Sequence, residues 1–170
     1  MKRRRWILAG GAAAGLLAGA GWQVWREHRR GTLATNLWQL NLPRPEGGTL
    51  ELAALRGRPL LVNFWAPWCA PCVKEMPALD RFARAHATQG WQVLGLAVDE
   101  APAVRDFLQR SPVSFPIAIS GLAGIELSRA LGNTQGVLPF TAVFDDAGRL
   151  TRTKIGPSDD AELAAWAMST

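Results

Sequence analysis

The segment Leu60-Leu61-Val62-Asn63-Phe64-Trp65-Ala66-Pro67-Trp68-Cys69-Ala70-Pro71-Cys72 constrains the fold more than any other part of this 170-residue chain. Its first six residues form an almost continuous apolar run, which reads as a central strand covered on both faces. The run leads into a tryptophan and a C-x-x-C pair that contains the chain's only cysteines. On the first turn of a helix, two cysteines three apart have Cα atoms roughly 5 to 6 Å apart, within reach of a disulfide. Such a pair opens and closes without refolding the chain, a switchable dithiol placed where a strand runs into a helix. The alternative is a fixed staple. Across so short a loop, a staple restrains the unfolded chain little and adds little stability.

A second constraint lies at the N-terminus. Met1-Lys2-Arg3-Arg4-Arg5 precedes Trp6 to Trp25, twenty residues without a charge and with Gln23 as the one strongly polar side chain. Twenty helical residues cover about 30 Å, the thickness of a bilayer core. The heavier basic flank precedes the run, so the positive-inside rule leaves it in the cytoplasm and exports the rest. The expectation is a single inner-membrane span with the remainder of the chain in the periplasm. Trp22 and Trp25 would serve as an interfacial anchor. The competing reading is a cleaved signal segment and a soluble periplasmic protein, for which Ile7 to Leu17 supplies the apolar core and Ala18-Gly19-Ala20 the small-residue site.

Charge separates the two parts of the chain. Residues 1–31 carry seven Lys and Arg against one Glu, a balance of +6, and residues 32–170 carry 12 against 13, a balance of −1; together these make the net +5. The basic character belongs to the N-terminal segment. The remainder is near neutral and offers no electrostatic footprint for nucleic acid. The organisation expected is an anchor or signal over residues 1–30, a linker over 31–36 and one domain over 37–170, long enough for a single core.

Within that domain, Leu37 to Leu42 reads as an edge strand and Thr49 to Leu52 as a half-buried strand. A helix is expected from near Cys69 to His86, with Met76, Leu79, Phe82 and Ala83 on its core face. Further strands are expected at Trp91 to Val98, Phe115 to Ser120, Phe140 to Phe144 and Leu150 to Ile155. The last two would be joined by a turn at Asp145-Asp146-Ala147-Gly148. Helices are expected at Ala101 to Arg110, at Leu122 to Leu131 and after Ser158, which would cap the last one. Strands alternating with helices, followed by a terminal hairpin and helix, describe an α/β sandwich with a mixed sheet.

Leu61 to Pro77, which includes Trp68-Cys69-Ala70-Pro71-Cys72-Val73-Lys74-Glu75, resembles the active-site segment of thioredoxin-fold proteins. Gly136-Val137-Leu138-Pro139-Phe140-Thr141 is similar to a second motif of that fold. Val98 to Ser120 resembles the extra strand–helix insertion in the middle of TlpA/ResA-like thiol–disulfide oxidoreductases. The resemblance, over residues 37 to about 168, implies a three-layer sandwich with a mixed central sheet flanked by helices. It makes Cys69 the exposed attacking thiol and Cys72 the more buried resolving thiol. It places a cis bond at Pro139 and offers the backbone of Leu138 to an extended substrate. Trp68 becomes a rim residue that meets partners, and Pro71 a restraint on the first helical turn. Glu75 becomes an assistant to proton movement at the buried thiol, a half-buried carboxylate with a raised pKa. Ordinary thioredoxins carry an aspartate where this chain has Asn63, which increases the burden on Glu75.

The redox direction follows from the dipeptide between the cysteines. Ala70-Pro71 supplies no His or Arg to stabilise a Cys69 thiolate, so a strongly oxidising potential is not expected. The chain reads as a reductase of substrate protein disulfides, in cytochrome c or copper-site assembly or on misoxidised proteins generally. Working in an oxidising compartment, it needs a membrane-embedded thiol–disulfide electron donor. No cofactor and no resident metal are expected. The competing function is a copper-binding chaperone, since a dithiol holds soft metals. Copper-site relatives use a C-x-x-x-C spacing and a distant histidine, whereas the histidines here are His28 and His86. A binding module with an incidental dithiol is a third reading.

Overall fold

The computed structural model describes residues 37–168. The expected membrane run at residues 6–25, the small-residue site at 18–20 and the linker at 31–36 lie outside the described residues. Among the described residues no helix is long and apolar enough to cross a membrane.

A five-stranded sheet forms the middle layer, in the order β5-β4-β3-β6-β7. Its strands are β3 (Leu60–Trp65), β4 (Gln92–Ala97), β5 (Ile117–Ile119), β6 (Phe140–Phe144) and β7 (Leu150–Ile155). A separate hairpin pairs β1 (Asn41–Pro43) with β2 (Thr49–Glu51). The run from Leu60 to Trp65 is buried at every position and forms the centre of the sheet. It pairs parallel with β4 and antiparallel with β6, so the sheet is mixed as expected.

Alternation along β3 sends its side chains to two separate cores. Leu61 and Trp65 face a cluster with Met76, Leu79 and Phe82 of α1 (Ala70–His86), Val104 and Phe107 of α2 (Ala101–Arg110), and Leu163 and Trp166 of α4 (Asp160–Met168). Leu60, Val62 and Phe64 face the opposite layer, where Leu127 of α3 (Ala123–Ala130) and Leu50, Leu52 and Trp38 cover them. Burying each such large side chain is worth about 1.5–3 kcal/mol, so the two clusters together fix the three layers. The segment after Val98 adds a helix, α2, followed by the edge strand β5. Removing these two elements and the β1–β2 hairpin leaves a βαβαββα core.

Several strands are one or two residues shorter at an end than expected, and two expectations fail outright. Leu37 to Leu42 is not one strand: Leu37 to Leu40 closes a turn through the Leu40 N–H and Leu37 carbonyl at 3.1 Å, and β1 starts at Asn41. Buried Trp38 sets this, since its indole N–H donates to the Gly148 carbonyl at 3.0 Å. Ser158 does not cap α4. Asp159 does, accepting from the Glu162 N–H at 2.9 Å. The Ser158 backbone is committed to the site described next.

Candidate active site

The cysteines stand at the C-terminal end of β3, where the chain turns into α1. Cys69 has extended backbone (φ −89°, ψ 98°) and is the N-cap residue; the turn before it is closed by its N–H on the Ala66 carbonyl at 3.1 Å. Its Sγ accepts from the Cys72 N–H at 3.3 Å, so the sulfur meets one of the donors that a helix start leaves unpaired. Cys69 and Cys72 are joined by a disulfide with a Cα–Cα distance of 5.3 Å, inside the range expected from spacing alone. Cys69 is 6% exposed and Cys72 is fully buried. Cys69 is thus the outer thiol of the pair, but it is far more covered than the exposed position expected. Pro71 occupies the first turn of α1, where it costs no backbone hydrogen bond.

Trp68 stands 66% exposed at the rim, whereas Trp65 is fully buried and packs on Phe107 at 5.0 Å between ring centroids. The Leu138–Pro139 bond is cis. Leu138 packs against both cores, one of which contains Cys69 and Cys72. Asn133 holds the loop before β6 through its amide, which donates to the Val137 carbonyl at 2.8 Å and accepts from the Val137 N–H at 3.1 Å.

Glu75 lies one turn beyond Cys72 on α1 and is 3% exposed, a buried carboxylate rather than the half-buried one expected. One carboxylate oxygen accepts from Asn63 Nδ2 at 2.8 Å and the other from the Ser158 N–H at 2.8 Å. Asn63 also donates to Thr141 Oγ1 at 3.1 Å, while its own Oδ1 has no partner. Burial pushes the Glu75 carboxyl above its usual range. The Ser158 and Asn63 hydrogen bonds and the charge of Lys154 act against that rise, and the charge of Glu162 adds to it.

The helical step from Cys72 to Glu75 is legible in the sequence, whereas the other surroundings of Glu75 are not. Ser158 offers a backbone group, which no residue type announces. Lys154 lies 79 positions beyond Glu75, on a strand whose local pattern does not mark it. The interrupting Asn63 in an apolar run was the one visible signal that something polar stands beneath it. His86 ends α1 with its ring stacked on Phe82 at 4.5 Å, and His28 lies outside the described residues. Among the described residues no cluster of three or more His, Cys, Asp or Glu is placed to hold a metal ion.

Residues 32–166 match the family described as Redoxin. The chain is 34% identical over 124 residues to the thiol-disulfide oxidoreductase ResA of Bacillus thuringiensis subsp. konkukian (strain 97-27), which covers 71% of this chain and 68% of that protein. Among solved structures it is similar to a thioredoxin-related protein from Neisseria meningitidis serogroup B, with 32% identity and a TM-score of 0.66 over 76% of this chain and 99% of that one. It is also similar to MTB dsbF in its mixed oxidized and reduced forms, with 26% identity and a TM-score of 0.67 over 78% of this chain and 96% of that one.

Proposed function

This chain belongs to the Redoxin family and is a TlpA/ResA-like thiol–disulfide oxidoreductase, and on that premise we propose that it works as a reductase of substrate protein disulfides, exported and held at the inner membrane by residues 6–25. The observation that carries the direction is the environment of Cys69. Its sulfur receives a backbone N–H, and the dipeptide beside it is Ala70-Pro71, without a cation. A helix N-terminus and one donor favour the thiolate moderately. A strong oxidant requires a far more stabilised thiolate.

The reaction is a transfer of two electrons from the dithiol to a substrate disulfide. The Cys69 thiolate attacks one substrate sulfur, the substrate S–S bond breaks, and a mixed disulfide forms. The first substrate thiolate leaves and takes up a proton. The Cys72 thiol then loses its proton to Glu75 and attacks Cys69 Sγ. The mixed disulfide breaks, the second substrate thiolate leaves, and the Cys69–Cys72 disulfide remains. Glu75 suits this role because burial raises its affinity for a proton above that of a solvated carboxylate, which makes it the better acceptor. In this reading Trp68 and the Leu138-Pro139 backbone form the surface for an extended substrate segment; the 66% exposure of Trp68 and the cis Leu138–Pro139 bond support it. The oxidised dithiol is recharged by a membrane-embedded thiol–disulfide donor.

The test is the redox state of the dithiol in the living cell, read by acid quenching and thiol alkylation. A reductase is held mainly as the dithiol, and the Cys72→Ser full chain accumulates disulfide-linked partners on Cys69. A mainly oxidised pair together with trapped partners would reverse the direction. Absence of any linked partner would remove the dithiol from substrate chemistry.

A further inference from the structure

Three polar side chains cross one face of the sheet in single file. Asn63 on β3 is paired with Thr141 on β6, and Thr141 is paired with Lys154 on β7. Directly opposed residues project from the same face, so the three stand side by side at strand spacings of about 4.8 Å. Asn63 and Thr141 are fully buried, and the Lys154 side chain is 26% exposed. The file therefore runs from the buried centre of the sheet to its solvent edge. At its inner end Asn63 holds one oxygen of Glu75. At its outer end Lys154 forms an ion pair with Glu162 of α4. Helix α4 starts two residues after Ser158, whose N–H holds the other oxygen of Glu75. Sheet and helix thus form two arms around one carboxylate, and the Lys154–Glu162 pair joins their outer ends.

An edge-strand lysine ordinarily keeps a sheet soluble and discourages edge pairing. Lys154 is instead mostly covered and tied to the helix that closes over Glu75. We propose that Lys154 and Glu162 are positioning residues for Glu75: Lys154 is a countercharge shared between the two carboxylates, and the pair governs when the buried carboxyl gives up its proton toward the solvent edge. With Glu75 protonated, Lys154 and Glu162 balance each other. When Glu75 ionises, two carboxylates share one ammonium, and Lys154 can turn inward along the file.

The ionisable groups around Glu75 leave this pair as the one that bears on it. From α1 come Cys72, with Lys74 and Arg81 farther out, and β3 and β6 contribute only uncharged Asn63 and Thr141 on this face. From β7 come Lys154 and Arg152, the latter lying over the Trp166 ring at 5.7 Å. From α4 come Glu162, the capping Asp159, and Asp160, which is engaged by Arg81 at 2.8 Å. The consequence for catalysis rests on the role proposed for Glu75; the coupling itself does not.

The experiment is a carbon NMR titration of the full chain, oxidised and labelled at glutamate carboxyls, with Glu75→Gln identifying the resonance. Lys154→Met should move the Glu75 midpoint to higher pH and Glu162→Gln to lower pH, each by about twofold or more in proton affinity, the effect of one charge two strand spacings, about 10 Å, away even at the dielectric of water. Lys154→Arg should stay near the wild-type midpoint. A pair that merely fastens α4 would alter unfolding and leave the midpoint in place, and that result overturns the proposal. Should Lys154→Met not fold, Glu162→Gln decides it: an unmoved or raised midpoint overturns the proposal. The reduced proteins then separate the two readings through the pH profile of Cys72 alkylation. Midpoints that move while that profile stays fixed uphold the coupling and remove Glu75 from thiol chemistry.

Discussion

Replacing Glu75 by Gln should cost stability at low pH and progressively less as pH rises, because the variant lacks a buried carboxyl that must ionise. Burial raises the carboxyl above its usual range, so the folded protein holds this proton more tightly than the unfolded chain does. Its stabilising contribution is complete below the ordinary carboxylate range and is lost as pH rises through the raised folded value. Each tenfold difference in proton affinity between the two states is worth about 1.4 kcal/mol. Glutamine has the shape of the protonated carboxyl and does not titrate. Two N–H donors, from Asn63 and Ser158, face this side chain, and glutamine offers one oxygen and one NH2. An orphaned donor there would cost about 1–3 kcal/mol. Turning the Asn63 amide over presents its Oδ1 to the new NH2 and to a donating Thr141 hydroxyl, but it carries the Asn63 NH2 to the place where Oδ1 had no partner, so a buried donor is orphaned in either orientation. The glutamine variant should therefore unfold about 1–3 kcal/mol more easily than the wild type at pH 4. From there the difference should shift toward the glutamine variant as pH rises and level off once pH passes the raised folded value. Guanidinium unfolding of the oxidised proteins at closely spaced pH values measures this, since the disulfide removes both thiols from the titration. The lowered carboxyls of Asp80, Asp145 and Asp160 are common to both proteins and cancel in the difference. Parallel curves across the whole range would refute a raised Glu75 and the proton path drawn through it.

Cys69→Ser should abolish reduction of a model protein disulfide by the full chain in the presence of dithiothreitol, and a turnover assay showing undiminished rate would reject Cys69 as the attacking thiol. Equilibration with redox buffers, followed by tryptophan fluorescence, should place the dithiol potential between roughly −230 and −300 mV, and a value above about −180 mV would make the protein an oxidase or isomerase. Gly95→Ala should destabilise the domain by about 1–3 kcal/mol in thermal or denaturant unfolding, the usual range for overpacking a core. A Cβ on Gly95 would stand 2.4 Å from Ile117 Cδ1 and 3.0 Å from Trp65 Nε1, and an unchanged midpoint would show that β5 yields freely.

The parts of the fold that could be read from sequence are those governed by local patterns. Leu60 to Trp65 and Phe140 to Phe144 are uninterrupted apolar runs, and the turn at Asp145 to Gly148 uses residues that turns favour. The helical repeat of Met76, Leu79 and Phe82 fixed the buried face of α1. The N-terminal turn escaped because its cause lies 110 positions away, where the Gly148 carbonyl receives the Trp38 indole N–H. The site divides in the same way. The Cys69–Cys72 spacing and the helical step to Glu75 are local quantities. The ring around Glu75 is assembled from Ser158, 83 positions on, and from the register of three strands, neither of which leaves a mark in the local pattern.

The Trp38 tie also settles where the chain that precedes the domain is attached. Trp38 reaches the Gly148 carbonyl, packs edge-on against Phe144 at 5.4 Å and lies under the Arg56 guanidinium at 5.7 Å. Phe144 is paired with Leu60 at the start of β3, whereas the cysteines follow Trp65 at its end. A strand of six residues spans about 20 Å, so the point of attachment and the dithiol occupy opposite poles of the sheet. Anything fastened through residue 37 therefore carries the dithiol on its far side, presented outward like the tip of a short arm. Lengthening the segment before residue 37 would widen the volume that this tip can sweep without changing the direction from which a partner meets it.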